Sequence, residues 1–170
     1  MRLIGLAGWS GSGKTTLVTA LVPLLIARGR TVSTVKHAHH SFDLDKPGKD
    51  SHLHREAGAH QVLIASAQRW ALMQELRGAS EPSLSELVTH LEPVDLVLVE
   101  GFKREIHPKI EIHRAEVGKP LLYPEDSHIE AIASAPRLSD APVPSVDLND
   151  ISAIADLVEK LARPIAAIGW

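Results

Sequence analysis

The chain has no cysteine. Disulfides, thiolate nucleophiles and cysteine-ligated metals are therefore excluded. Aromatic residues are scarce, with three tryptophans, two phenylalanines and one tyrosine in 170 residues, too few for a platform that stacks single-stranded bases. There is no excess of positive charge. The formal net charge of −3 argues against broad, nonspecific nucleic-acid binding. The first apolar run spans about six residues, too short for a signal peptide or a membrane span. The sequence thus reads as a cytoplasmic protein that binds neither nucleic acid nor membrane. A hydrophobic content of 44% and a charged content of 23% are those of an ordinary globular protein, and the length predicts a single domain over residues 1–170 with a real core.

What is present is concentrated near the start. Gly8 to Thr15 read Gly-Trp-Ser-Gly-Ser-Gly-Lys-Thr, the pattern of a phosphate-binding P-loop. Gly8, Gly11 and Gly13 let successive backbone N–H groups turn inward onto one anion. Lys14 reaches the outer phosphates, and the hydroxyl of Thr15 serves a magnesium ion. The surroundings match the motif's needs. Arg2 to Ala7 is short and mostly apolar, as a buried strand is. Thr16 to Arg28 carries Leu17, Leu21, Leu24 and Leu25 at helical spacing, and Gly29 stands where a helix C-terminal glycine belongs. A helix starting at the loop adds its positive end to the anion site.

Further along, Thr31–Lys36 predicts a second strand and Asp50–Ala57 a short helix. Gln61–Ser66 and Arg69–Leu76 predict a hairpin, with Trp70 expected in the core. Ser83–Leu91 predicts a helix, Lys109–His113 and Ile129–Ser134 two strands, and Ile151–Leu161 a final helix with one apolar face. Residues 135–144, holding Pro136, Pro142 and Pro144, read as a connector. The fold class is α/β: a P-loop-type, mostly parallel sheet flanked by helices, with an antiparallel extension. Ligand loops are expected at the carboxyl ends of the parallel strands.

The other half of the site follows from the strand Leu96–Val99, which is apolar without alternation, as a strand buried on both faces is. It ends in Glu100-Gly101. In P-loop proteins a carboxylate at such a strand end lies across from the loop and holds magnesium or its water shell. Asp95, at the opposite end, is expected at a solvated strand start. Lys36, Lys46 and Lys49 are candidates to neutralise phosphate. Asp50 is a candidate to hold magnesium or orient water, and equally a candidate helix cap. His37, His39 and His40, with Asp43 and Asp45, form a polar cluster whose imidazoles would suit nickel, zinc or copper, although the spacing matches no closed tetrahedral site. Asn149 is the sole asparagine, so the Asn-Lys-x-Asp device that reads guanine in many GTPases is absent. These residues alone do not choose between guanine and adenine. No glutamine follows the carboxylate strand to place an attacking water, so any hydrolysis is expected to be slow.

Five segments taken together resemble one family. They are Trp9-Ser10-Gly11-Ser12-Gly13-Lys14-Thr15-Thr16, Lys36-His37-Ala38-His39-His40, Asp45-Lys46-Pro47-Gly48-Lys49-Asp50-Ser51, Gln68-Arg69-Trp70-Ala71-Leu72-Met73 and Val99-Glu100-Gly101-Phe102-Lys103. In this order they resemble the molybdopterin-guanine dinucleotide biosynthesis adaptor family, from about residue 1 to residue 160. The resemblance implies a GTP-binding homodimer with weak GTPase activity that assists the guanylyltransferase attaching GMP to molybdopterin. It carries over Ser10, Gly11, Ser12, Gly13, Lys14, Thr15 and Thr16 as phosphate binders and Thr15 as a magnesium ligand. Asp50 and Glu100 carry over as magnesium or water-positioning residues. Two competing expectations stand beside it: a nickel- or zinc-delivering GTPase using the histidine cluster, and a small-molecule kinase, for which Arg104 and Arg114 are available but no arginine-rich lid stands out.

Overall fold

The computed structural model describes residues 1–38 and 42–170. The chain divides into two compact units, one made of residues 1–37 with 84–170 and one of residues 38–83.

The larger unit is built on a seven-stranded sheet. Its strands are β1 (Arg2–Ala7), β2 (Val32–Lys36), β5 (Leu96–Glu100), β6 (Lys109–Arg114), β7 (Ile129–Ala135), β8 (Ser145–Asp147) and the two-residue β9 (Arg163–Pro164). The order is β2-β5-β1-β6-β7-β8, every neighbouring pair on that path being parallel. β9 alone is antiparallel and pairs with the first half of β1, leaving the second half to β6. Strands β8 and β9 have no counterpart in the sequence reading, because three residues and two residues are too short to show a period. The central strands are apolar without alternation because both faces are covered. On one face α1 (Lys14–Ala27) and α4 (Ile151–Leu161) bury Leu17, Leu21, Leu25, Ile154 and Val158 against Ile4, Leu6, Leu98, Ile110 and Ile112. On the other, α3 (Leu84–Val88) brings Leu84 and Val88 against Leu3, Val97 and Val99. The Asp150 carboxylate accepts the Ala153 N–H at 2.9 Å and caps α4.

β6 departs from that pattern. Its Lys109, Glu111 and His113 side chains alternate with Ile110 and Ile112, yet Lys109 and Glu111 are as buried as the isoleucines. Glu111 accepts the backbone N–H groups of Leu122 (2.7 Å) and Tyr123 (2.9 Å). Lys109 pairs with Asp126 at 2.9 Å and donates to the Glu105 carbonyl at 2.7 Å. The polar face of this strand is thus covered by the chain segment that follows it, with its charges bonded as burial requires. Burial alone would raise the Asp126 carboxyl, but the hydrogen bonds from Lys109 and His128 prevail and hold it below the usual carboxylate range.

The smaller unit holds α2 (Asp50–Glu56) and the antiparallel hairpin β3 (Gln61–Ala65) with β4 (Trp70–Gln74). Its turn is closed by the Ser66 N–H on the Arg69 carbonyl. The Arg55 guanidinium collects Asp45 (2.7 and 3.0 Å), Asp43 (3.0 Å) and Glu75 (3.0 Å). Trp70 is 65% exposed rather than in the core. The hairpin has only one well-covered apolar residue, Val62, and leaves Leu63, Ile64, Trp70 and Leu72 in solvent. Among the described residues no helix is long and apolar enough to cross a membrane.

Candidate functional site

The strand order reverses around β1: the chain passes from β1 to β2 on one side and later to β6, β7 and β8 on the other. In an open α/β sheet such a point opens a crevice at the carboxyl ends of the strands. Residues 8–13 occupy that position, leaving β1 and entering α1. Gly13 is the N-cap of α1, with φ 94°, in the left-handed region. The backbone N–H groups of Gly13, Lys14 and Thr15 meet no backbone carbonyl among the described residues. They are the orphan donors of a helix start, gathered where an anion can take them. Ser12 is 2% exposed, and its hydroxyl has no partner among the described residues.

Charge around the loop is one-sided. Lys14 is half-buried and donates to the carbonyls of Gly8 (3.0 Å) and Trp9 (2.8 Å). Burial, followed by the nearby Lys103 ammonium, holds its pKa below the ordinary lysine value, and only Glu100 opposes them. Burial also lowers Lys103. The Lys103 ammonium lies 4.7 Å from the centre of the Trp9 ring and that of Lys119 lies 5.9 Å from it. The Trp9 indole N–H donates to the Pro120 carbonyl at 2.7 Å. Trp9 is therefore an anchor that ties the loop to residues 119–120. Arg114, the last residue of β6, lies over Gly13: a Cβ on that glycine would be 3.2 Å from the guanidinium Nε. No such neighbour can be read from the sequence, since Arg114 is a hundred positions away.

Across from the loop, parallel register sets Glu100 beside Leu6 of β1 and beside Lys36 of β2. The Thr15 hydroxyl donates to Glu100 Oε1 at 2.9 Å. The Lys36 ammonium lies 3.3 Å from that carboxylate oxygen and 3.3 Å from Thr15 Oγ1. Gly101, at φ 95°, lets the chain turn directly after Glu100, and a Cβ there would lie 2.7 Å from the His37 Cβ. Phe102 packs its ring 4.9 Å from that of His37. Two hard oxygen donors converge beside the loop, which suits a divalent magnesium ion, and the surplus of cations suits a polyphosphate.

The structure therefore brings Lys14, Thr15, Lys36 and Glu100 together. Asp50 is exposed and opens α2 in the smaller unit, where Lys49 rather than Asp50 is the N-cap residue. Asp95 is an exposed strand start, as expected, and accepts both the backbone N–H and the hydroxyl of Thr31 at 2.8 Å; those bonds lower its carboxyl. Asp43 and Asp45, grouped with the histidines in the metal reading, are ion-paired to Arg55. His39 and His40 lie outside the described residues. Among the described residues no group of three or more histidine, aspartate or glutamate side chains is placed to hold a metal ion.

Comparison with known proteins agrees with this architecture. Residues 3–135 match the family model described as molybdopterin guanine dinucleotide synthesis protein B. The chain is 45% identical over 159 residues to the molybdopterin-guanine dinucleotide biosynthesis adapter protein of Escherichia coli, covering 92% of this chain and 90% of that protein. It is 47% identical over 161 residues to the protein of the same name from Haemophilus influenzae, covering 92% and 87%. The crystal structure of Bacillus subtilis MobB superposes with a TM-score of 0.72 at 23% identity, over 96% of this chain and 99% of that one. At that identity it attests the fold. None of these relatives lends support to a nickel- or zinc-delivering reading.

Proposed function

This chain belongs to the molybdopterin guanine dinucleotide synthesis protein B family, and from that premise we propose that it acts as an adaptor in molybdopterin guanine dinucleotide biosynthesis by binding GTP with magnesium at residues 10–16. One observation carries the nucleotide reading. The orphan N–H groups at the start of α1, the inward-folded Lys14 and the Thr15–Glu100 pair all meet at the carboxyl end of β1. The N–H groups would hold the phosphates and Lys14 would leave its two carbonyls for the outer phosphates. Thr15 and Glu100 would hold magnesium, which neutralises charge between the phosphates. Asp50 joins this set on family resemblance alone, and the choice of guanine rests there too.

The chemistry proposed is modest. No glutamine directly follows Glu100 in the sequence to orient water, so hydrolysis of GTP by the isolated protein would be slow. The adaptor role calls for partner enzymes, of which the one attaching GMP to molybdopterin is the expected one. The apolar side chains exposed along β3 and β4 favour a second copy of the chain as another partner.

Calorimetric titration with GTP and with ATP, in the presence of magnesium, tests the reading. GTP should bind more tightly than ATP, and Lys14→Ala should weaken binding by at least tenfold. The melting temperature should stay within a few degrees, since the Lys14 ammonium contacts only two carbonyls of its own loop. Unchanged affinity in that variant would refute the assignment.

A further inference from the structure

We infer that Lys36 is a resident counter-cation of the Thr15–Glu100 pair, holding the site charge-balanced without magnesium and surrendering its place when the metal binds. The inference rests on the nucleotide reading above and adds a residue to it. Three polar heads form a closed triangle: Thr15 Oγ1 to Glu100 Oε1 is 2.9 Å, and the Lys36 ammonium is 3.3 Å from each. The backbone enforces this, because Lys36 and Glu100 end neighbouring parallel strands in direct register. The two oxygens at the base of the triangle are the very atoms that a magnesium ion would take from the protein. An ammonium and a divalent cation repel each other and compete for the same lone pairs.

The exchange is mechanically easy. Lys36 is 57% exposed on a flexible four-carbon stem, so its head can swing into solvent or onto a phosphate without disturbing the core. Glu100 is better covered, at 14%, and stays where it is. Without Lys36, this carboxylate would face the tail of an arriving nucleotide with less of its charge offset, opposing the attraction of Lys14. Lys36 offsets that charge when magnesium is scarce. The loop can then admit a nucleotide before the metal arrives, and removal of the metal does not by itself expel the nucleotide.

The measurement is a titration of a fluorescent GTP analogue into wild type and Lys36→Met, in EDTA and in saturating magnesium. The loss of affinity in Lys36→Met should be about tenfold greater in EDTA than in magnesium. Equal losses in the two buffers would make Lys36 a plain phosphate contact and overturn the inference, and so would no loss in either. A second arm omits nucleotide. Manganese should broaden the amide resonances of Thr15 and Glu100 at a several-fold lower concentration in Lys36→Met than in wild type, because the competitor is gone. Broadening at the same concentration in both overturns the inference. If wild type binds no nucleotide in either buffer, the proposed function fails, and the manganese arm alone decides the role of Lys36. Lys36→Gln repeats both arms should Lys36→Met not fold.

Discussion

Single residues show how unevenly the chain tolerates change. Gly29 and Gly101 both have left-handed backbones, at φ 80° and 95°. Around Gly29 a Cβ would meet nothing within 4 Å, whereas at Gly101 it would run into the His37 Cβ at 2.7 Å. Gly29→Ala should therefore cost only the backbone penalty, about 1 kcal/mol. Gly101→Ala should cost about 2–4 kcal/mol, because β2 and the turn after β5 must also separate. Urea unfolding of the two variants checks the contrast, and equal losses would mean that His37 yields freely. The same scale explains what the sequence hid. The strand–loop–helix of residues 2–27 was legible because its residues are contiguous. Lys36 was legible as a candidate to neutralise phosphate, but its pairing with Thr15 and Glu100 was not, nor was Arg114 over Gly13, because both are contacts between residues far apart in the chain.

Among the elements, those with strong pattern were read correctly in kind. β1, α1, β5, α4 and the β3–β4 hairpin are where periodicity and turn residues predict them, and the sheet is mostly parallel. Burial is harder to read where it departs from polarity. Lys109 and Glu111 give β6 the look of a half-exposed strand, yet both are covered because Asp126 and the Leu122 and Tyr123 amides satisfy them. The expectation for Trp70 is wrong: its aromatic body suggests a core, and a two-stranded hairpin has none to offer. That exposure belongs to the hairpin as a whole. If it is the contact between two copies, Trp70→Asp should turn a dimer into a monomer in sedimentation equilibrium at micromolar concentration, with nucleotide affinity kept. A monomeric wild type, or a variant that stays dimeric, would remove the hairpin from that role.

The larger unit as a whole carries an acid liability. His107 is 1% exposed, neither ring nitrogen meets the geometry of a hydrogen bond to another of the described residues, and its ring lies against Gly5 of β1. Burial, then the Lys109 ammonium, pushes it from 6.5 down to about 4. An unfolded chain takes up this proton near pH 6.5, and the folded chain refuses it until about pH 4. Stability is thus full above pH 6.5 and falls as pH drops from there toward 4, by roughly 3 kcal/mol in all. Urea midpoints at pH 7.5 and pH 5 should show the drop, and His107→Leu should flatten it. An unchanged slope in that variant would assign the effect to other groups.

Trp9 gives the molecule something more. Its indole is fixed at one end by the Pro120 carbonyl and overlooked by the ammonium of Lys103, while the other two tryptophans stand in solvent at positions 70 and 170. The colour of indole emission follows the electric field across the ring, and the negative charges of a nucleotide bound as proposed would change that field. If a nucleotide binds as proposed, the chain would carry its own optical gauge of occupancy, readable with ultraviolet light and no attached dye.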